Sequence, residues 1–127
     1  MEAQRIIITG GATRIGAAIA EKLAGPGIKI IIHFNKSKLK AENLKKKLQK
    51  LGTKVYLVKG DLSKERDVHK IIKFSKSKMK FFDCLVNNAS LFENDKLENF
   101  SSKGWEKHIS INLKAPALLS KEFSKNI

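Results

Sequence analysis

The sequence alternates between short apolar runs and longer segments in which apolar residues recur with helical spacing. Four runs are rich in isoleucine, valine or phenylalanine and are typical of strands, at residues 5–9, 28–34, 55–58 and 81–86. Each is followed by a turn and by a segment that could form a helix. A strand that is apolar throughout is buried on both faces, as in a parallel sheet covered by helices. The pattern therefore predicts an α/β fold with parallel strand order 3-2-1-4, an incomplete doubly wound, three-layer Rossmann-like sheet.

The final part of the sequence is less regular. Residues 91–100 are expected to be irregular, whereas a long helix is predicted from about Ser102 to the C-terminus. Proline removes one backbone hydrogen bond from a helix, so Pro116 is expected to bend it. Trp105 is expected to anchor the helix by packing. At 127 residues the chain has room for one domain, and residues 1–127 are treated as one unit.

The composition excludes several classes of protein. The single cysteine, Cys84, cannot form an internal disulfide, which excludes a disulfide-stapled secreted scaffold. No apolar run approaches the roughly 20 residues of a membrane span, and the first residues lack the pattern of a signal peptide. The histidines are few and scattered, which does not favour a zinc site. We therefore expect a cytoplasmic protein without a metal site or a membrane partner.

The net charge of +14 comes almost entirely from lysine, with 23 Lys against 3 Arg. Arginine is favoured for bidentate recognition of phosphate and guanine, so its scarcity argues against a nucleic-acid partner. Residues 35–80 hold 16 basic and 4 acidic residues, together with the second and third predicted helices. In the predicted sheet these helices lie on opposite faces, so their lysines would not form one groove along a nucleic acid. We therefore expect no nucleic-acid partner.

A glycine-rich turn, T-G-G-A-T-R-I-G at residues 9–16, separates the first strand from the first helix. Glycines let the backbone approach a phosphate group, and a helix N-terminus offers free N–H groups with a positive dipole. The spacing excludes a Walker A loop, since Ala17 stands where the lysine would be. It also excludes a G-x-G-x-x-G fingerprint, since no middle glycine lies between Gly11 and Gly16. The turn predicts a phosphate-bearing ligand; a plain strand-to-helix turn is the alternative.

This turn resembles the T-G-x-x-x-G-x-G nucleotide-binding motif of short-chain dehydrogenases/reductases, with Arg14 in place of the middle glycine. Three further motifs agree with the family in order and spacing, one of them Asn112 in I-S-I-N-L (residues 109–113) on the last predicted helix. Asp61-Leu62 resembles its adenine-contacting pair, and residues 85–90, L-V-N-N-A-S, resemble its N-N-A-G stretch. Arg14, and Ser90 in place of the last glycine, are both similar to the pteridine reductase branch. By this resemblance the cofactor-binding residues would include Gly10, Arg14, Ile15, Gly16, Asp61, Leu62, Asn88, Ala89 and Ser90.

The end of the second strand indicates which dinucleotide would bind. A site for NAD usually has an acidic residue here, about 20 residues past the glycine turn, to hold the ribose hydroxyls. The sequence instead has Asn35, Lys36 and Ser37, and a cation with two small polar groups suits a 2′-phosphate. Pteridine reductases resemble this arrangement, and Arg14 adds a second cation near the phosphates. NADP is therefore predicted over NAD; the alternative is that Lys36 is one more solvated lysine.

The catalytic residues that the resemblance implies are only partly present. Family members share a tetrad of a helix-borne Asn, a Ser and a Tyr-x-x-x-Lys pair, in which the tyrosine acts as general acid. This sequence has one tyrosine, Tyr56, inside the third strand, and no lysine four positions after it. Asn112 is therefore the one tetrad residue carried over. Phe92, two residues after Ser90, would stack a pterin substrate in the family's manner, with packing on the core as the equal alternative.

Two functions are compatible with this interpretation. The first is an NADP-dependent oxidoreductase that transfers hydride to a pterin-like, dihydrofolate-like or carbonyl substrate, of which this chain would be the cofactor-binding half. The second is a catalytically inactive truncated homologue that binds a nucleotide or a protein. In both cases the fourth strand and the last helix would expose apolar surface. A homo-oligomer, or pairing with a separate C-terminal half, is therefore expected.

Overall fold

The computed structural model describes residues 4–126, which form a four-stranded parallel sheet with helices on both faces. The strand order is β3-β2-β1-β4, which confirms the predicted α/β fold and its topology. In chain order the elements are β1 (Gln4–Ile8), α1 (Arg14–Leu23), β2 (Ile28–Phe34), α2 (Lys38–Gln49), β3 (Lys54–Lys59), α3 (Glu65–Met79), β4 (Cys84–Val86), α4 (Ser102–Ile109), a π-helical turn (Ser110–Lys114) and α5 (Ala115–Ser124).

Isoleucines form the centre of the sheet. In the β1–β2 register Ile7 lies beside Ile31, and the flanking pairs are Ile6 with Ile30 and Ile8 with Ile32. Successive side chains point to opposite faces, so Ile7 and Ile31 pack in one core and the other four in the second. All six side chains are almost fully buried, and each such burial contributes roughly 1.5–3 kcal/mol.

The two cores place α2 and α3 on opposite faces of the sheet, as the strand order predicts. Leu44 and Leu48 of α2 pack with the residues of the first core, whereas Val68 and Ile71 of α3 pack in the second. The lysines that dominate residues 35–80 are therefore divided between two faces.

The fourth strand is shorter than predicted. Residues 81–86 were expected to be extended, but only Cys84–Val86 pairs with β1. Phe82 is fully buried against the α3–α5 core, where its ring stacks on Phe123 with centroids 6.2 Å apart. Its N–H group donates to the carbonyl of Asn126, two residues after the end of α5. Because this segment packs on a helix, the strand begins only after Asp83.

The final helix contains a π-helical turn. The π-helical turn lies between α4 and α5, and Pro116 follows it directly at the start of α5. Residues 91–100 form no helix or strand, as predicted. The expectation for Trp105 is wrong, because α4 buries none of its residues and the Trp105 side chain is 59% exposed. Within residues 4–126, no helix has both the length and the apolar character needed to cross a membrane.

The α2 helix allows a matched test of its core contact. Replacement of the fully buried Leu48 by Ala leaves a cavity between α2 and the sheet, and we expect the free energy of unfolding to fall by about 3 kcal/mol. Leu39→Ala is the control, because Leu39 is 70% exposed on the same helix and its loss should change stability by less than about 0.5 kcal/mol. Urea denaturation followed by circular dichroism measures both. Equal effects of the two variants would contradict the described packing of α2.

Candidate functional site

A cleft of about 660 Å³ lies at the carboxyl ends of the strands. In an open parallel sheet this edge is where ligands bind, since the connecting loops meet there. Residues from the loops after all four strands line the cleft. They include most of the positions predicted to bind a cofactor: Gly10, Arg14, Ile15, Asn35, Lys36, Ser37, Asp61, Leu62, Asn88, Ala89 and Ser90.

The turn between β1 and α1 brings the helix close to the end of the strand. Gly16 is buried, and a Cβ atom at this position would overlap the carbonyl oxygen of Gly10 and lie 2.8 Å from the Cα of Gly11. Gly10 itself has φ +60°, a conformation in which side chains are rarely tolerated. Gly16 therefore lies beneath the cleft and sets the distance between α1 and β1.

The N-terminus of α1 leaves backbone donors facing the turn. The helix begins with the hydrogen bond from Ala17 N–H to Thr13 O, so the N–H groups of Arg14, Ile15 and Gly16 have no acceptor within the helix. In the described chain, the Thr13 side chain makes no capping hydrogen bond. Uncapped N–H groups and the helix dipole together attract an anion.

Asn88 ties the loop after β4 to the turn after β1. Its side-chain amide donates to the carbonyl oxygens of Thr9 and Gly10, both at 3.1 Å. The hydroxyl of Thr9, which is buried, accepts hydrogen bonds from the backbone N–H groups of Asn88 and Ala89. These contacts satisfy polar groups that would each cost about 1–3 kcal/mol if left unpaired, so they hold the floor of the cleft rigidly.

Two cations and a hydroxyl line the cleft. Lys36 and Arg14 are exposed side chains that line it, and Ser37 stands at the N-cap position of α2. Within residues 4–126, Ser37 makes no side-chain capping bond. Arg14 has φ +48°, a left-handed conformation that is costly for a residue with a side chain. The positions suit binding of a phosphate group.

Asp61 follows β3, the strand next to β2, and also lines the cleft. Its Oδ1 accepts hydrogen bonds from the Ser63 hydroxyl at 2.7 Å and from the Ser63 N–H group at 2.9 Å. The Ser63 hydroxyl is the main reason that the pKa of Asp61 lies below its ordinary value. Leu62 is buried beside it. The carboxylate is therefore ionised and held in place at neutral pH.

The two residues predicted to act in catalysis and substrate contact lie outside the cleft lining. The Asn112 amide donates to the Leu91 carbonyl at 2.9 Å and accepts from the Leu91 N–H group at 2.8 Å, so it clamps the backbone beyond Ser90. Phe92 is 83% exposed, which removes the alternative that it packs on the core. The neighbouring Leu91 does line the cleft.

The loop of residues 91–100 is also held by α4. The Glu93 N–H group donates to His108 Nε2 at 3.1 Å, and the Glu93 carboxylate pairs with Lys107 at 3.0 Å. The hydrogen bond and charge of Lys107 hold the pKa of Glu93 below its ordinary value. Glu93 and Lys107 both line the cleft, so a loop without regular structure still has a defined position there.

His33, at the end of β2, was not predicted to be part of the site. The side chain is buried, with Nδ1 accepting from the Gly10 N–H group at 3.0 Å and Nε2 lying 2.8 Å from the carbonyl oxygen of Gly60. Burial lowers the pKa of His33 from its ordinary value, against opposing effects of the Gly60 bond, Asp61 and Asp67. The signal that could have found it is a histidine directly after three consecutive isoleucines in β2.

Comparison with known proteins agrees with this geometry. The family model described as short chain dehydrogenase matches residues 4–127. The chain belongs to this family. A short-chain dehydrogenase/reductase named FrzI from Cladobotryum sp is 33% identical over 113 residues, which are 89% of this chain and 44% of that protein.

Solved structures of family members superpose closely on the chain. FolM alternative dihydrofolate reductase 1 from Brucella canis, complexed with NADP, is 33% identical, with a TM-score of 0.88 over 98% of this chain and 50% of the other. A short chain dehydrogenase from Burkholderia cenocepacia J2315, also in complex with NADP, is 25% identical, with a TM-score of 0.94 over 99% of this chain and 51% of the other. The chain thus spans about half the length of the relatives it matches.

Family membership explains the conformation of Arg14. This residue occupies the position at which the T-G-x-x-x-G-x-G motif has its middle glycine, and glycine adopts φ +48° without strain. The chain retains the backbone path of the motif while placing a guanidinium group in the cleft.

The closeness of Gly16 to β1 can be tested by adding one methyl group. Gly16→Ala forces α1 away from Gly10, and we expect the free energy of unfolding to fall by about 2 kcal/mol. Gly25→Ala is the control, because a Cβ atom there meets nothing within 4 Å, and its effect should stay below about 0.5 kcal/mol. Urea denaturation measures both variants. A Gly16→Ala protein as stable as the control would contradict the described turn.

Proposed function

We propose that this chain is the NADP-binding portion, residues 1–127, of a reductase that transfers hydride from NADPH to a small substrate. The observation that carries the proposal is the joint lining of one cleft by Arg14, Lys36 and Ser37, next to the uncapped N-terminus of α1. The NADP complexes of the Brucella canis and Burkholderia cenocepacia relatives support it.

Each part of the cleft suits one part of the cofactor. The N–H groups of Arg14, Ile15 and Gly16 would bind the pyrophosphate, while Gly10 lets the backbone approach it. Lys36, Ser37 and Asn35 would bind the 2′-phosphate, with Arg14 as a second cation. Asp61 and Leu62 would hold the adenine, and the nicotinamide would lie toward Asn88, Ala89 and Ser90. These donors and the close approach of backbone fit a dinucleotide carrying an additional phosphate.

The reaction needs groups beyond this binding set. The bound nicotinamide supplies the hydride. Asn112 fixes the backbone at Leu91, which lines the cleft next to Ser90 and so orients the loop on the substrate side. Tyr56 lies in β3 and packs in the second core, so it does not supply a proton at the cleft. Tyr56, the one tyrosine of the sequence, therefore does not provide the general acid that family members use.

A pterin-like or dihydrofolate-like substrate is the first candidate. Arg14 and Ser90 both match the pteridine reductase pattern, and Phe92 exposes an aromatic face beside the cleft-lining Leu91. The 33% identity to an alternative dihydrofolate reductase supports this choice. A carbonyl substrate remains the second candidate for the same hydride transfer.

The alternative proposal is a nucleotide- or protein-binding module without catalysis, favoured by the position of Tyr56. Exposed apolar side chains on the last helices, Trp105, Ile109 and Leu113, suit association with a second copy or with a separate polypeptide. We place either form of the protein in the cytoplasm, with a small-molecule ligand and without a nucleic-acid partner.

Cofactor preference is the direct test of the proposal. Calorimetric titration of the 127-residue chain should show tighter binding of NADPH than of NADH. Lys36→Ala should weaken NADPH binding by about tenfold and leave NADH binding unchanged, because only NADPH carries the 2′-phosphate.

Lys40→Ala is the matched control, since Lys40 is an exposed lysine of α2 that does not line the cleft. It should bind NADPH like the unmodified chain. Tighter binding of NADH, or equal effects of the two lysine variants on NADPH, would overturn the assignment of Lys36.

Arg14 is expected to improve binding at the expense of stability. Arg14→Gly relieves the left-handed conformation at φ +48°, so the free energy of unfolding should rise by about 1 kcal/mol. NADPH affinity should fall by about tenfold with the loss of the cation. Thermal unfolding and calorimetry measure the two effects.

Lys80→Gly is the control for these two effects of Arg14→Gly, on stability and on NADPH affinity. Lys80 also has a positive φ, +67°, but lies after α3 and outside the cleft lining. The variant should gain stability by a similar amount and bind NADPH unchanged. An Arg14→Gly protein with full NADPH affinity would show that the guanidinium does not contact the cofactor.

A further inference from the structure

The His33 imidazole links three loops that meet at the cleft. Its ring receives the N–H group of Gly10, the first glycine of the phosphate turn, and lies against the carbonyl of Gly60, which precedes Asp61. The backbone of β2 makes parallel contacts, with Gly11 N–H donating to His33 O and Gly60 N–H donating to Phe34 O. Lys36 follows three residues later on the same loop.

The hydrogen-bond pattern fixes the form of the ring. A backbone N–H group can only donate and a carbonyl can only accept, so Nδ1 must lack a proton while Nε2 carries one. The ring is therefore neutral. A proton added to Nδ1 would face the Gly10 N–H group, donor against donor, inside a site where His33 is only 3% exposed.

We propose that His33 is a positioning residue for the cofactor, whose neutral ring holds the phosphate-binding turn at Gly10 and the adenine-side loop at Gly60 in their binding positions. This inference rests on the proposed function, since it concerns the same cleft. His33 lines the cleft, and it acts through the two backbone groups rather than as a ligand of the phosphates. Its ring sets the spacing between the sites for pyrophosphate and adenine, which a single dinucleotide must span.

Two conservative variants separate the two contacts. Asparagine has its amide oxygen near the position of Nδ1, so His33→Asn keeps an acceptor for Gly10 N–H and loses the Gly60 contact. Glutamine has its amide nitrogen near the position of Nε2, so His33→Gln keeps a donor for Gly60 O and loses the Gly10 contact.

We expect the NADPH affinity measured by calorimetry to fall by about threefold in His33→Asn and by about thirtyfold in His33→Gln. The effect of His33→Gln is larger because it leaves the buried Gly10 N–H group unpaired beneath the phosphates. Urea denaturation of both variants reports stability separately. Equal affinities in the unmodified chain and both folded variants would overturn the inference. The inference would also be overturned if the loss of affinity in each variant simply matched its loss of stability. In that case the Asn and Gln variants would not differ in affinity at equal stability.

The acid side of the pH profile provides a second readout. The pKa of His33 is lowered by burial from 6.5, with Asp61 and Asp67 as the acidic groups that oppose this shift. As the pH falls below 6.5, the unfolded chain therefore takes up this proton before the folded chain, and the free energy of unfolding decreases until the folded-state pKa is passed. His33→Asn removes this loss because amides do not titrate.

NADPH binding should lose affinity as the pH falls through the folded-state pKa of His33, where the folded ring itself takes up the proton, and the loss should be larger in the unmodified chain than in His33→Asn. The 2′-phosphate of NADPH titrates near pH 6 whichever protein binds it, so the His33→Asn profile is the control for its contribution. Identical pH profiles would overturn the inference.

A measurement on the unmodified chain avoids any dependence on variants. Nitrogen-15 chemical shifts of the His33 ring should show an unprotonated Nδ1 and a protonated Nε2 at pH 7.5, and the Gly10 amide should exchange slowly with solvent. The opposite tautomer would overturn the inference while leaving the proposed function intact. Failure of the unmodified chain to bind NADPH or NADH would instead refute the proposed function, and with it the cofactor role of His33.

Discussion

The contact between α1 and the end of β1 is the constraint on which the cleft depends. Because Gly16 has no side chain, the first turn of α1 lies directly against the carbonyl of Gly10. That approach also brings the Asn88 amide within hydrogen-bonding distance of Gly10 O, so the loop after β4 is held at the same point. A side chain at residue 16 would lift the helix and separate both groups. The free N–H groups at the start of α1 and the loop after β4 thus share one steric requirement.

Polar contacts across the carboxyl edge then convert four separate loops into one surface. The Thr9 hydroxyl binds the loop after β4, and His33 binds the turns after β1 and β3. Both side chains are buried, where an unpaired polar group costs about 1–3 kcal/mol, so each contact favours a single arrangement of the loops. The apolar residues of the sheet provide most of the stability, but they would tolerate several loop positions. The position of the cleft walls comes from these few polar groups.

The sequence predicted the features that depend on local pattern. Apolar runs determine which segments can be buried strands, and the parallel topology then brings Gly10, Lys36, Asp61 and Ser90 to one edge, as the structure describes. The features it missed depend on contacts between distant segments. Phe82 fits a strand by composition but packs on Phe123, and Trp105 has the spacing of a core residue on a helix that buries nothing. His33 was missed because a polar residue in an apolar run gives no sign of its partners, which lie 23 and 27 residues away along the chain.

The π-helical turn in the last helix connects the core to the 91–100 side of the cleft wall. A π-helical turn contains one residue more than an α-helical turn, so the helix faces before and after it are offset by about 100°. After the turn, Ala115 and Leu119 are buried in the α3–α5 core. Before it, α4 buries no residue and instead holds the 91–100 loop through Lys107 and His108. Asn112, within the turn, clamps Leu91. An uninterrupted helix that kept Ala115 and Leu119 in the core would rotate α4 and withdraw its contacts from the loop, so the irregular turn is what allows one helical segment to serve both the core and the cleft.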